Sequence, residues 1–336
     1  MATLSEIATR AGVSVSVASR VLNGDPTVRT RPETRERVLQ AARDLDYSAN
    51  YAGRALRLAR SKALALVVPN PSNPLFADLL AGASDASGEC DYTLLVGHSQ
   101  HFTEGSAVIR RLVREGRVDG FVLQRTDDLT DQALENLVAK DARIVLVASR
   151  TPRRRGSVIL DDVAGARLAT EHLLSLGHRR VGLIGGVEAS DIARRREQGY
   201  VVALRDAGLR RRETWVRRLG YAPEVAAEAA TSIMSEPSGP TALVVANVNG
   251  AIGALTALRQ TGVEVPGDVS VVAIHDQWMA AHTWPPLTTV KMAFYDVGYR
   301  AVRLLIDQLA GAPADDIVVG DPPPRLVLRA STAPPP

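Results

Sequence analysis

The 336-residue sequence is poor in the groups that staple small proteins or hold metals. Its only cysteine is Cys90, so neither an internal disulfide framework nor a multi-cysteine metal site is open to it. Cys90 itself reads as a packed core thiol. Aromatic residues make up 4% of the chain, and no run of about eighteen apolar residues occurs, which excludes a conventional membrane-spanning helix. Glu6 and Arg10 interrupt the first apolar stretch, so no cleavable export signal is read and a cytoplasmic location is expected. Neither sign of charge dominates, the net value being +3.

What is present is apolar mass and an uneven distribution of charge. Hydrophobic residues form 46% of the chain, enough for a sizeable core divided over two or three folded units. Residues 1–62 hold eleven Lys and Arg against six Asp and Glu, whereas the remainder holds 29 against 31. That is the pattern of a polyanion-binding head on a neutral body, although a basic helix face can also be simple solvated surface.

The head carries its own helix punctuation. Thr3 can cap a first helix, with Glu6 three positions on closing a capping box. Leu4, Ile7, Ala8 and Ala11 then share an apolar face. After Gly12-Val13, Ser14 starts a second helix in which Val17, Ala18, Val21 and Leu22 can pack inward while Val15, Ser16, Ser19 and Arg20 look outward. A third helix is expected from Thr30 to Asp46, with Pro32 in its first turn. Two short helices joined by a glycine-containing turn, the second led by small exposed side chains, form a helix-turn-helix reader of the DNA major groove. Arg20 could fork onto a guanine edge or form a surface salt bridge. Residues 47–57 read as a helix too short to stand alone in water.

Several motifs together resemble the LacI/GalR family of bacterial repressors. They are Thr3-Leu4-Ser5-Glu6-Ile7-Ala8, Ala11-Gly12-Val13-Ser14, Ala18-Ser19-Arg20-Val21-Leu22-Asn23, Glu33-Thr34-Arg35-Glu36-Arg37-Val38 and the run from Asn50 through Leu56. The resemblance implies DNA contacts from Thr3, Ser14, Val15, Ser16, Val17, Ser19, Arg20, Asn23, Thr30 and Tyr47. It also implies a hinge helix in which Asn50 and Ala55 contact DNA and Leu56 is wedged into the minor groove, against the plainer reading of Leu56 as a linker leucine. Two residues depart from the family's hinge: Ala49 replaces the usual proline, and Gly53 replaces a common alanine.

From Lys62 onward, short apolar runs alternate with helical periods. Residues 63–69, 93–97, 120–123, 144–148, 181–185, 242–245 and 269–274 read as buried parallel strands. Such alternation predicts doubly wound α/β sheets that bind ligands beyond the carboxyl ends of their strands. The same family resemblance extends here through Val67-Val68-Pro69-Asn70-Pro71-Ser72-Asn73-Pro74-Leu75-Phe76, Leu176-Gly177-His178-Arg179-Arg180-Val181, Val265-Pro266-Gly267-Asp268-Val269-Ser270-Val271 and Pro286-Leu287-Thr288-Thr289-Val290. It implies a periplasmic-binding-protein type of core whose two subdomains enclose an effector.

The expected organisation is therefore an α/β protein with a three-helix DNA-binding head over 1–46, a hinge helix and linker over 47–61, and an effector-binding and dimerisation core over 62–332. Within the core, one subdomain is expected over about 62–161 and 290–320, the other over about 162–289 and 321–332. By the resemblance, Ser72, Asn73 and Phe76 line the cleft from one side and Arg196, Asn247 and Asp276 from the other. His275, Trp278, Arg125 and Arg150 are further candidates. Ser72 and Asn73 could equally be turn residues, Phe76 and His275 core, and Arg196 the partner of a carboxylate. Val248 and His275 stand where the family often has acids, which makes the expected cleft less anionic and suits a phosphorylated or acidic effector. Trp278 and Trp284 are expected to wall the cleft, and Arg153-Arg154-Arg155 to form a solvated loop.

An enzyme is the competing class. Residues 97–101 superficially resemble a nucleophile elbow, but His101 occupies the place of its glycine. Gly182-Leu183-Ile184-Gly185-Gly186 lacks dinucleotide-binding spacing, and His98 and His101 have no third ligand nearby. An unregulated sugar-binding protein is the other alternative, against which the head argues. No enzyme activity, cofactor, metal or membrane association is expected. The expected partners are double-stranded operator DNA, with which the protein associates in the nucleoid, a sugar, sugar phosphate or related metabolite, and a second copy of the chain.

Overall fold

A computed structural model describes residues 2–23, 25, 27–47, 60–99, 112, 115–126, 129–137, 142–151 and 155–336. The chain divides into two compact units, residues 1–61 and 62–336.

The first unit holds α1 (Leu4–Ala11), α2 (Val15–Leu22) and α3 (Pro32–Asp44). Thr3 and Glu6 close the capping box at α1, and Gly12 ends that helix with φ 65°, a left-handed turn that a side chain would resist. Ser14 accepts the Val17 N–H at the start of α2. Because Pro32 takes the first helical position of α3, that helix begins two residues later than Thr30, and Arg31 precedes it without a side-chain cap. Ile7, Ala8, Ala11, Ala18, Val21, Val38 and Ala41 form the unit's core.

The second unit contains two six-stranded sheets. The first runs β11 (Asp316–Val319), β5 (Ser157–Leu160), β4 (Arg143–Val147), β3 (Gly120–Leu123), β1 (Ala63–Val68), β2 (Thr93–His98), all neighbours parallel. The second runs β12 (Arg325–Val327), β10 (Thr288–Lys291), β9 (Ser270–Ile274), β8 (Ala242–Val245), β6 (Val181–Gly185), β7 (Val216–Arg218), parallel except for β12 against β10.

Continuous apolar strands follow from burial on both faces. In β1, Leu64, Leu66 and Val68 enter one cluster while Ala63, Ala65 and Val67 enter another. β2 departs from the expected burial: it is a sheet edge, and Leu95 and Val96 are exposed. The strand at 288–291 lies in the second sheet, so the chain returns to the first subdomain only after Lys291, slightly beyond the expected boundary at 290. The helix that follows, α10 (Phe294–Leu309), packs on α4 (Ala77–Glu89) of the first subdomain. After α5 (Asp131–Leu137) of the first subdomain, α6 (Asp162–Ser175) pairs with α7 (Asp191–Asp206) in the second, and α8 (Pro223–Met234) with α9 (Val248–Gln260). Among the described residues, no helix is long and apolar enough to cross a membrane.

Candidate DNA-reading head and ligand cleft

The start of α2 presents Ser14, Val15, Ser16 and Arg20 as exposed side chains, and Thr3 is exposed at the start of α1. Among the described residues Arg20 has only a long ion pair, 3.9 Å, with Asp25, which leaves its guanidinium largely uncommitted there. Asn23 is turned back on its own helix, its Nδ2 donating to Ser19 O at 2.6 Å. Ser19 and Thr30 are half-buried, while Val17 and Tyr47 pack against the unit's core. Asn50, Ala55 and Leu56, the expected hinge contacts, lie outside the described residues.

In the second unit the carboxyl ends of the parallel strands face one cavity of about 560 Å³. Chain leaving β1 supplies Pro69, Asn70 and Asn73. Gln124 and Arg125 follow β3, and Ala148 and Ser149 follow β4. The other wall comes from Asp162 at the start of α6, Ser190, Asp191 and Arg196 around α7, Tyr221 after β7, Asn247 after β8 and His275 after β9. This is the position at which doubly wound sheets hold ligands.

Arg196 organises the second wall. Its Nε donates to Asp162 Oδ1 at 2.9 Å, its Nη1 to Ala246 O, and its Nη2 to His275 Nε2 at 2.7 Å. Since His275 Nε2 accepts, the proton of the neutral imidazole is on Nδ1. Burial and then the neighbouring Arg196 charge hold His275 well below its ordinary pKa. The Asp162 carboxylate is shared with Arg195, whose Nη2 donates to Asp162 Oδ2 at 2.8 Å and to Ala148 O at 3.2 Å across the cleft. A second link crosses there: Asn249 Nδ2 donates to Asn73 Oδ1 at 2.9 Å. Phe76 and Phe294 stack with centroids 6.3 Å apart, and the His275 ring lies 4.9 Å from Phe294.

Asn73, Phe76, Arg125, Arg196, Asn247 and His275 all line the cavity, but most of their polar atoms are committed internally. Asn73 Oδ1 also accepts from Leu75 N, and Asn247 caps α9 by accepting from Gly250 N at 2.6 Å. Arg125 is paired with Asp131.

Four candidates are corrected. Ser72 is exposed in its turn, its N–H donating to Asn70 Oδ1. Arg150 is exposed and contributes its backbone carbonyl to Arg125. Asp276 turns away to Arg329 and Thr289 at 2.8 and 2.6 Å. Trp278, 70% exposed, stands with Trp284, 77% exposed, at a separate groove beside α9, because the 3₁₀ turn Trp278–His282 carries them off the cleft. Arg155, expected in a solvated loop, is instead half-buried in a two-pronged pair with Glu135 at 2.7 and 2.8 Å, while Arg153 and Arg154 lie outside the described residues. Sequence reasoning missed Gln124, Ser149, Asp191 and Phe294; only their places just beyond strand ends or at a helix start could have signalled them.

Comparison with known proteins adds an independent line. Residues 3–50 match the family of bacterial regulatory proteins, lacI family, and residues 170–332 match the periplasmic binding protein-like domain. A crystal structure of a LacI family transcriptional regulator from Mycobacterium smegmatis is 38% identical, covers 81% of this chain and 100% of its own, and superposes with a TM-score of 0.75. The HTH-type transcriptional repressor PurR of Pasteurella multocida is 29% identical over 98% of each chain. The lac repressor dimer bound to operator and the anti-inducer ONPF is 26% identical over 99% of each chain, with a TM-score of 0.81.

Proposed function

Because the chain belongs to the LacI family of bacterial regulatory proteins, which are DNA-binding transcriptional regulators rather than enzymes, we propose that it is a cytoplasmic repressor. It reads a palindromic operator as a homodimer and is controlled by a sugar or sugar derivative held in the cleft. The observation that carries this reading is the pairing, in one chain, of an exposed, arginine-bearing second helix with a preformed cavity between two sheets. Two-fold symmetry of the DNA calls for two heads.

A face for the second copy is available in the second unit. Trp278 and Trp284 are exposed beside Ile252, Leu255 and Met279, around a groove of about 720 Å³. Apolar surface of this kind gains most by meeting its own copy across a two-fold axis. An effector then acts by binding the open and closed arrangements of the two subdomains with different affinity.

The test is selection of binding sites from randomised DNA followed by gel retardation. Palindromic sites are expected, with affinity falling steeply as salt rises. Arg20→Ala should lose about 1–3 kcal/mol of discrimination at one base pair of each half-site. Failure to enrich any sequence would overturn the reading.

A further inference from the structure

The chain beyond residue 62 holds 29 Lys and Arg against 31 Asp and Glu, yet residues 205–218 alone carry six arginines and two acids. This stretch leaves the end of α7 and passes through the 3₁₀ turn Glu213–Trp215 into β7. β6 and β7 are parallel, with Leu183 opposite Val216. The stretches that lead into them, Arg179-Arg180 and Arg210-Arg211-Arg212, therefore lie side by side, the strands being about 5 Å apart. On the other flank Arg180 O accepts the Thr241 N–H ahead of β8 at 2.8 Å. The arginines gather at the amino-terminal ends of these strands, away from the carboxyl ends that face the cavity.

The carboxylates nearby are outnumbered. Glu197 and Glu213 are each shared by Arg211 and Arg218, and Asp206 is shared by Arg167 and Arg205. Arg167 also takes Glu171, and Arg217 takes Glu236. Glu264 and Asp268 precede β9, two strands along the sheet from β6. Arg179, Arg180, Arg210 and Arg212 are exposed, and among the described residues their guanidinium groups hold no ion pair and no hydrogen bond. Arg212 is laid over the Trp215 ring, 4.7 Å from its centroid, which restrains its fork before any partner arrives.

Unpaired guanidinium groups this close repel one another until an anion sits among them. Within 179–180 and 205–218 no large apolar side chain is exposed, so the patch lacks the desolvated apolar centre of a protein interface. Charge without apolar surface, spread along two neighbouring segments, matches the repeated phosphates of a nucleic-acid backbone.

We propose that this end of the second sheet is a further polyanion surface, which holds the phosphate backbone of duplex DNA without reading its sequence. Arg179, Arg180, Arg210 and Arg212 make the contacts, and the paired arginines around them add to the field. The surface is distinct from the helix-turn-helix head and from the cavity, so one chain can hold a second stretch of DNA besides the one its head reads.

The test uses the full-length protein bound to an immobilised duplex of random sequence, and measures capture of a second, labelled duplex from solution. Capture is expected at about 50 mM salt and should be lost by about 200 mM. Arg179→Gln, Arg180→Gln, Arg210→Gln and Arg212→Gln together should reduce capture at least about tenfold. The corresponding four Lys substitutions should restore most of it, because charge is what a backbone phosphate requires. No capture by the parent overturns the proposal, and so does capture that persists in the Gln variant, which would assign it to the heads. Arginine modification by phenylglyoxal, read by mass spectrometry on the parent alone, decides the matter even if the variants fold poorly. Duplex DNA should protect these four arginines at least about fivefold. Equal modification with and without DNA overturns the proposal, and protection by poly-L-glutamate but not by DNA makes the partner an acidic protein and overturns it too. Sequence selection by the head is measured separately and stands on its own result.

Discussion

His275 directly follows β9 with φ 67°, a left-handed backbone uncommon outside glycine, and Ala148 directly follows β4 with φ 64° on the opposite wall. Both sheets thus turn sharply where they meet the cleft, and the turn at His275 delivers its ring onto Arg196 and Phe294. Burial keeps that ring neutral, whereas in the unfolded chain it takes a proton near its ordinary value of 6.5. Its contribution to stability is therefore complete above about pH 6.5 and is lost as pH falls below it, at up to about 1.4 kcal/mol per pH unit. The expected result is that His275→Gln, which keeps an acceptor for Arg196, loses less melting temperature than the parent between pH 7.5 and 5.5. Equal losses in the two proteins would mean that the imidazole is not the group responsible. His172 and His178 are also lowered by burial and act in the same direction in both proteins.

Among the elements, the contact between α4 and α10 is set by two glycines. A Cβ on Gly82 would strike the Tyr295 carbonyl, and one on Gly298 the Leu79 carbonyl, so the two backbones touch where side chains would hold them apart. Gly298→Ala is expected to lower stability by about 2–3 kcal/mol in a denaturant titration despite its gain in helix propensity. A stabilised variant would refute this packing. Contacts of that sort were not legible in the sequence, whereas most strands buried on both faces were. The apolar runs of β1, β3, β4, β6, β8 and β9 identify themselves. β5, β7, β10, β11 and β12 do not: β7, β11 and β12 are short edge strands, with Arg217 and Arg218 in β7, and polar residues shorten the apolar runs of β5 (Ser157) and β10 (Thr288, Thr289 and Lys291). The cleft was legible in the same uneven way. The family resemblance locates Asn73, Arg196 and Asn247 and singles out His275, but spacing along the chain cannot reveal that Asn73 bonds to Asn249 across the cavity. Nor can it show that the turn after His275 sends Trp278 to another face.

At the scale of the whole molecule, regulation requires that the two sheets change their relation when ligand enters. The bonds from Asn249 to Asn73 and from Arg195 to Ala148 O are the kind of short polar links that separate discrete arrangements. They are individually modest, about 0.5–1.5 kcal/mol each, so a ligand of ordinary affinity can outweigh them. The head contributes sequence reading and the second unit contributes ligand sensing, and the chain between them is what must carry one to the other.

The placement of the tryptophans has an optical consequence. Trp215 is buried, whereas Trp278 and Trp284 stand in water on the face assigned to the second copy. Intrinsic emission should therefore report assembly directly: dilution through the dissociation range should shift the spectrum to the red as those two indoles become hydrated. Trp278→Phe together with Trp284→Phe should leave a blue, concentration-independent signal from Trp215 alone. A parent spectrum that does not move on dilution, in a range where sedimentation shows dimers dissociating, would place the interface elsewhere. In such a molecule the fluorimeter reads subunit exchange without any attached dye.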